Sequence, residues 1–527
     1  MRIRVLWVGI AAALSVFGAN PFQPVISPNG VVNAASYLST GFTNYGIARG
    51  SVFVIFGSAL GPVDLAQASF PLPSSEGLAG TRVLISIDGY NAACPLLYSS
   101  LNQVAAIMPS NAPEGDGTVV VSYQNQASTS AAIHVVRSAF GIFTRNVAGT
   151  GPAIAQNFVS QTSQPLNSLI ASATPGQTVI LWGTGLGPVN GDESIGPLPG
   201  ALPHLDNLYV GSVKANVRYS GRSGCCAGVD EVIFDVPAGV TGCYVPVAAV
   251  TGGVVSNFGT ISVNASGKEC DDPLTFRASE LTAAERGGVL RSGRVTLAGA
   301  PAPADVTFSA GFYSAGLDTV LAGTGRLKPA FGTCYLAVTR VGAVQGPVGQ
   351  GLNAGTSVVV NGPVGLLEAQ NVSSGGYSMT KPAAQLSPGS YGFTSTGGSD
   401  VGPWSANVNV AAPAVWTNAA TYNLPTFSLA SPLTFTWTGG DPNGLVTIRV
   451  ATANATYDSS IECSVAPAAG SFTIPAFLTG AMYRSPVTVS FTSSAPVGAF
   501  APTGLDAGGI SISTTTTAQT IFQAAVQ

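Results

Sequence analysis

The sequence predicts an all-β protein: two tandem β-sandwiches followed by further β-rich domains. Composition, strand periodicity and an internal repeat carry that prediction. The chain has 527 residues, of which 65 are Gly and 36 Pro, while charged residues make up 8 %, against about 25 % in ordinary soluble proteins. Gly and Pro break helices, and so few charges cannot lace a helix face. Strands joined by many turns use this composition well. In "RVLISIDG", Val83, Ile85 and Ile87 alternate with Leu84, Ser86 and Asp88, the period-two signature of a half-buried strand. A chain of this length divides into several domains.

The repeat is read from two stretches. "GSVFVIFGSALGPV" begins at Gly50 and "GQTVILWGTGLGPV" at Gly176. They share Gly57/Gly183 and the Leu-Gly-Pro-Val run. Further on, residues 103–135 lie over 231–263 without a gap, matching Val104, Pro109, Val119, Ser128, Ile133 and Val135 to Val232, Pro237, Val247, Ser256, Ile261 and Val263. Both opening runs are short, apolar and end at Gly, as a buried strand entering a turn does. Pro109 and Pro237 lack an N–H for a ladder, so each should end a strand or sit on an edge. Short strands separated by frequent turn residues are the pattern of a sandwich.

The order Pro-Gly, apolar strand, Gly-x-x-Leu-Gly-Pro, Val-Pro, then Ser…Ile-x-Val resembles the IPT/TIG class of immunoglobulin-like domains. With the opening "VVNAASY" (31–37), the tandem pair resembles an uncharacterised family of secreted proteins found mainly in acidobacteria. The Gln-Ile-Asn many members carry before Val-Pro is replaced here by "NQVAAIMP" and "DEVIFDVP". The resemblance implies fold and export and supplies no catalytic residues. The expected domains are 25–137 and 140–264, both immunoglobulin-like.

Beyond Cys270 the period continues. "VTFSAGFY", "CYLAVT", "SVVVNG", "ANVNV", "LTFTWT", "VTIRV" and "VTVSF" read as strands, and "GGDPNG" (439–444) as a tight hairpin turn between two of them. "SELTAAER" reads as a short helix capped by Ser279 and ended by Gly287. A boundary near Pro413 gives a β-rich domain at 268–411 and a sandwich-like one at 412–527.

The N-terminus reads as an export signal over 1–19. Arg2 and Arg4 precede an apolar run, and Val16 and Gly18 offer small residues before a cut near Gly18 or Ala19. An uncleaved anchor is the rival reading, but the run falls short of the ~20 residues a spanning helix needs. The mature protein is therefore expected to be secreted, in the periplasm or at the cell surface, with no membrane insertion after cleavage. A net charge of −4 provides no basic surface for nucleic acid.

Seven cysteines in an exported chain imply disulfides with at least one thiol left over. Cys243 opens the strand after "DEVIFDVP". Antiparallel neighbours joined this way approach the ~5.5 Å Cα spacing a disulfide needs. Cys243 is expected to pair with Cys225, or alternatively Cys226. Cys270 with Cys334 is the second expected pair.

The sequence carries no recognisable catalytic constellation. "GTGLGP" (183–188) is followed by Pro188 and loop rather than the helix a dinucleotide site requires, so it reads as a turn. With two histidines and no Cys-x-x-Cys, a zinc site has no ligand set. His134 reads as a strand residue and His204 as a loop residue, and no Gly-x-Ser-x-Gly elbow is present. The adjacent acids Asp192/Glu193, Asp230/Glu231 and Asp271/Asp272 read as solvated loop pairs, the last being the pair a calcium site at a domain junction would use. Trp182 replaces Phe56 and reads as core, Trp437 as packed, and Trp404 and Trp416 as freer, available to stack on a sugar. No catalytic residue, metal or cofactor is expected. The function expected is a secreted, non-catalytic binding or structural protein whose sandwich loops, 64–80 and 190–206, contact an extracellular protein or glycan. The alternative is a secreted hydrolase with its active site in 270–527 and the tandem pair as accessory.

Overall fold

The computed structural model describes residues 23–271, 288–301, 304–316, 328–340, 349–422, 431–454, 457–482 and 486–520, with a few isolated residues between these stretches. The leader expected at 1–19 lies outside the described residues, as does the helix expected at 279–286 except for Glu280. Among the described residues no helix is long and apolar enough to cross a membrane.

The first sandwich packs two sheets face to face. One runs Val25–Asn33, Val52–Ser58, Gln103–Ile107, Leu96–Ser99, Ala66–Gln67; the other runs Ile47–Ala48, Ala131–Val136, Gly115–Tyr123, Thr81–Ile87, Tyr90–Ala93. Thr81, Val83, Ile85 and Ile87 are buried while the residues between them are exposed, so the alternation read from sequence sets the inner face. The second sandwich repeats this order strand for strand: Gly141–Ile142, Thr178–Thr184, Asp230–Asp235, Asn216–Arg222, Gly200–Ala201 against Gly151–Pro152, Gly259–Val263, Gly242–Thr251, Leu205–Val210, Val213–Lys214. In both, the short strand opening the second sheet pairs parallel with the last long one. The chain is thus all-β, with tandem immunoglobulin-like sandwiches.

The shared residues have physical reasons. Gly57 stands opposite Ile26 and Gly183 opposite Ile142. A Cβ on Gly57 would run into the Val25 carbonyl, and one on Gly183 into the Gly141 carbonyl, so the first strand can approach only where the side chain is missing. Ser128 and Ser256 make one and the same bridge. Their Oγ atoms accept the Val121 and Ala249 N–H (3.1 and 2.9 Å), and their own N–H groups donate to the same residues' carbonyls (2.8 Å each). Pro109 and Pro237 each follow a strand and accept a turn hydrogen bond, from Ala112 and Val240.

The C-terminal half is organised around one 14-stranded sheet, ordered from Thr333–Arg340 through Tyr457–Val465, Leu445–Ala453, Val487–Ser494, Ala507–Thr520 and Val289–Gly299 to Ala304–Gly316, and ending at Trp404–Val410. Two cores lie along it. Phe308, Phe312, Tyr391 and Phe393 fill one. In the other, Trp416, Phe435 and Trp437 of the small sheet Val415–Trp416, Leu433–Thr438, Ser471–Ile474 cover Ile448, Val450 and Phe491 of the large one. The division at 411/412 does not separate these cores. Thr333–Arg340 belongs with the later strands, and Ala507–Thr520 supplies Ile510 and Ile512 to one core and Ala518 to the other. "GGDPNG" does turn, with the Gly444 N–H on the Asp441 carbonyl. It is not a hairpin, because the strands it joins lie in different sheets.

Three disulfides form, and they correct the expected pairs. Cys225 bonds to Cys226, Cys243 to Cys270 and Cys334 to Cys463, while Cys94 is a buried free thiol. Cys243 cannot meet Cys225 or Cys226 as expected, because the "DEVIFDVP" strand and the Cys243 strand lie in opposite sheets of the sandwich. Cys334 instead stands directly opposite Cys463 on the neighbouring strand, at a Cα separation of 4.1 Å. The Cys243–Cys270 bond, Cα atoms 5.4 Å apart, holds the segment leaving the second sandwich against its own strand.

Candidate functional site

The two sandwiches meet at a junction built around Arg222. Arg222 ends the strand Asn216–Arg222 and stands opposite Asp230, which opens the next strand. Its guanidinium donates to the Gly50 carbonyl of the first sandwich (2.8 Å) and to the Gly187 carbonyl of the second (3.0 Å). Its Nε lies 3.3 Å from Asp230 Oδ1 and 3.5 Å from Glu193 Oε1. Arg222 and Asp230 are fully buried and Glu193 nearly so. Such charges are tolerated only when paired and hydrogen-bonded. Asp230 Oδ2 accepts the N–H groups of Gly185 and Leu186 (2.7 Å each). Glu193 Oε1 accepts that of Gly228 (3.1 Å). Burial pushes the Asp230 carboxyl up, to about 7, against the opposing pull of Arg222 and the two amides. Burial raises Glu193 as well, again opposed by Arg222.

The "GTGLGP" loop therefore does cradle an anion, but the anion is the chain's own Asp230. The positive φ of Gly185, 107°, turns its amide inward, a conformation Gly adopts without penalty. The first sandwich carries Asn102 where the second carries Asp230, and there Leu60 N–H bonds the Leu101 carbonyl instead.

Further bonds cross the junction. Thr184 Oγ1 accepts the Val52 N–H (2.9 Å) and donates to the Gly228 carbonyl (2.6 Å). Asn33 Nδ2 donates to the Ala139 carbonyl (3.1 Å), and Ser110 Oγ accepts the Val189 N–H (3.1 Å). Ala227 packs with Val52, Val54, Ala105 and Ile107 of the first sandwich. The relative placement of the two sandwiches is thus fixed by buried polar contacts.

Beside this junction lies a groove of about 1160 Å³. Arg49, Tyr90 and Asn111 line it from the first sandwich, Arg137 from the linker, and Asn190 and His204 from the second. Arg49 pairs with Glu114 at 3.2 Å, and the Tyr90 hydroxyl donates to Asn111 Oδ1 (2.8 Å). Burial first, then the positive charges of Arg137 and Arg49, pushes the His204 pKa down. The lining therefore offers an aromatic ring, guanidinium groups, amides and a neutral imidazole, the means to hold a polar ligand by stacking and hydrogen bonds.

The two loops expected to carry recognition meet here. Leu72 N–H of the first donates to the Ser194 carbonyl of the second (2.6 Å). Ser74, residues 190–194 and residues 198–202 line the groove. They are not free tips, however: Glu193 is part of the buried cluster and Leu72 is itself buried. The acid pairs read as solvated are divided the same way. Glu193 and Asp230 converge on Arg222, Glu231 is half-buried, and Asp192 and Asp271 are exposed. Asp272 lies outside the described residues, and no cluster of metal-ligating side chains occurs among the described ones.

His134 is a strand residue, its Nδ1 lying 2.7 Å from Asp116 Oδ1, while His204 belongs to the groove. Trp437 is packed, as read. Trp404 and Trp416 are buried too, against Phe500 (ring centroids 4.1 Å apart) and against Phe491 (5.9 Å), which removes the tryptophan platform. Trp182 is half-buried and donates to Gln156 Oε1 (2.9 Å). Sequence reasoning missed Arg222, Tyr90 and Arg137. The one available signal was opposite charges, Arg222 and Asp230, flanking the Cys-Cys turn.

No family model matches the sequence, and no curated protein does. Among solved structures the chain is similar to domains 5–6 of the S-layer protein SbsC, at 13 % identity over 46 % of this chain and 98 % of that one, TM-score 0.16. It is similar to immunoglobulin domains 1–4 of Sidekick-1, at 11 % identity over 94 % and 100 %, TM-score 0.13. A third is a Bacteroides ovatus mixed-linkage glucan utilization protein solved with a heptasaccharide, at 13 % identity over 88 % and 95 %, TM-score 0.13. Likeness at these TM-scores carries no argument about this chain.

Proposed function

We propose that the protein is a secreted, non-catalytic binding protein that holds an extracellular glycan or protein in the groove between its tandem sandwiches. The observation that carries this reading is the junction itself. A buried ion cluster and direct hydrogen bonds fix two repeats so that loops of both line one open polar groove. A fixed groove binds with little ordering cost, and loops on a rigid scaffold are the usual place for recognition. Three disulfides suit an oxidising, extracellular compartment. The shared strand order fits the proposed kinship with IPT/TIG-like domains of secreted proteins. Fold alone does not assign function, so the groove is what the proposal rests on.

The hydrolase reading asks for acids converging on one groove in 270–527. In that half Asp400, Asp441 and Asp506 hold the backbone N–H groups of Asn353, Asn443 and Arg291, and Glu462 pairs with Lys328. Those carboxylates act as structural acceptors, which favours the binder. The test is to probe arrays of glycans and extracellular proteins with the mature chain, then repeat with Tyr90→Ala and Arg137→Ala. Each variant is expected to weaken the partner found by about tenfold or more, the loss of one hydrogen bond to a charged group or one stacked ring. Unchanged binding in both would refute the groove. Turnover of a substrate, abolished by one Asp or Glu substitution in 270–527, would establish the hydrolase.

A further inference from the structure

The C-terminal half holds a second groove, far from the junction in sequence and different in chemistry. It lies on the face of the large sheet opposite the buried Ile448, Val489 and Ile512. On that face Arg449 stands between Glu462 and Ser490 on its two neighbouring strands, and Arg294 stands beside Gly509. Glu462 and Arg294 are four strands apart in the sheet. They are also offset along the strands, since Glu462 lies in the row of Arg449, Ser490 and Thr517 while Arg294 pairs with Gly509; at about 4.8 Å per strand and about 3.4 Å per residue a flat sheet would separate them by about 33 Å. The sheet instead curls, so that both line one groove of about 330 Å³.

The charges in this groove do not balance. Among the described residues Arg294, Arg449 and Lys328 face a single acid, Glu462, and that acid is taken by Lys328. Both arginines keep solvent-accessible surface, while burial in the groove lowers the Arg294 pKa against the opposing pull of Glu462. Between them run half-buried hydroxyls, Thr296, Ser490, Ser494, Ser511 and Ser513. At Gly509, beside Arg294, a Cβ would meet the Val497 side chain at 3.7 Å, so an apolar side chain borders the arginine there. Two uncommitted guanidinium forks match a carboxylate, which each can hold through two parallel hydrogen bonds. A hydroxyl lattice matches the hydroxyls of a sugar ring. An extended peptide is disfavoured, because it would seek a sheet edge with unpaired backbone groups, whereas these strands are paired on both sides. The volume lies at the small end for ligand pockets, which suits a short saccharide.

We infer that this groove is a binding site for an acidic saccharide, whose carboxylates meet Arg294 and Arg449 and whose hydroxyls meet the serine and threonine row. The site is independent of the interdomain groove and stands or falls separately from it. The test is calorimetric titration of the full mature chain with a galacturonate trisaccharide, with the matching galactose trisaccharide, inorganic sulfate and an acidic peptide as comparisons. The galacturonate is expected to bind saturably, more weakly as salt rises, with no measurable binding of the neutral sugar. Arg294→Ala and Arg449→Ala are each expected to lower the affinity about tenfold or more. Thermal unfolding of each variant checks that the sheet persists, and the salt and neutral-sugar comparisons need no variant at all. Equal binding of charged and neutral trisaccharides, sulfate or the acidic peptide binding as tightly as the galacturonate, or unchanged affinity in both arginine variants would overturn the inference.

Discussion

Replacing Arg222 with Met tests how the sandwiches are held together. Met keeps most of the apolar stem and removes the guanidinium. The structure gives the magnitude. Arg222 makes two hydrogen bonds to carbonyls, at 2.8 and 3.0 Å, one in each sandwich, each worth about 1.5–3 kcal/mol when the donor is charged. Its removal also strands Asp230, which is wholly buried, and breaking one side of a buried pair costs about 3–5 kcal/mol. These are overlapping descriptions of one loss, so about 4 kcal/mol is expected. That is about three decades in the opening equilibrium. The loss should be larger at pH 8 than at pH 5, because a protonated Asp230 needs no counter-charge. Hydrogen exchange on the full chain reads it directly: the Gly185 and Leu186 amides, now bonded to Asp230, should lose protection, together with Val52, whose N–H bonds Thr184. Exchange at these amides within about threefold of wild type, or a loss appearing instead across the C-terminal half, would refute the claim that this cluster sets the junction.

Four further outcomes are expected. Burial raises Asp230 from 3.8 to about 7, so its contribution to stability is fully present below about pH 4 and lost as pH rises through 7; Asp230→Asn should flatten that decline, whose upper bound is about 4 kcal/mol, in denaturant melts from pH 4 to 8. Gly183→Ala drives a methyl into the Gly141 carbonyl and the Phe140 ring and should destabilise the second sandwich by about 1–3 kcal/mol or more. Gly200→Ala, which meets open space, should change its melting little. Replacing Cys334 and Cys463 with Ser opens a loop of 129 residues and should lower stability of the C-terminal half by about 5 kcal/mol in the chain-entropy model, measured by thermal unfolding with peptide mapping of the remaining disulfides.

Local rules made the tandem pair legible. Gly57 and Gly183, Ser128 and Ser256, and Pro109 and Pro237 recur because backbone approach, a side-chain bridge and a strand end each require that residue type. The packed Trp437 was legible from alternation with threonine. What escaped depends on which strands become neighbours. The Cys243 pairing was misjudged because sequence neighbours in a sandwich often cross to the opposite sheet, and Cys334 meets Cys463 only once a long crossover has placed their strands side by side. The boundary at Pro413 failed for the same reason. The groove was half legible. Its loops were identified by how much they differ between the copies, but the buried Glu193 and the role of His204 follow from the docking of two domains, which no local pattern encodes.

The strand Ala507–Thr520 lies parallel to Val289–Gly299, and Arg291 and Asp506, which bond beside it, are 215 positions apart. Both C-terminal cores draw side chains from that late strand. Neither can close until it has been made, whereas each tandem sandwich is complete within its own stretch of chain. Synthesis therefore leaves a long interval in which the sandwiches can fold while the rest waits with apolar strand edges exposed. Non-local parallel pairing is slow to form and prone to misassociation. The sandwich pair, already folded and packed against the C-terminal core through Tyr244, Phe258 and the stacked rings of Tyr209 and Phe477, offers a surface on which that delayed assembly can start.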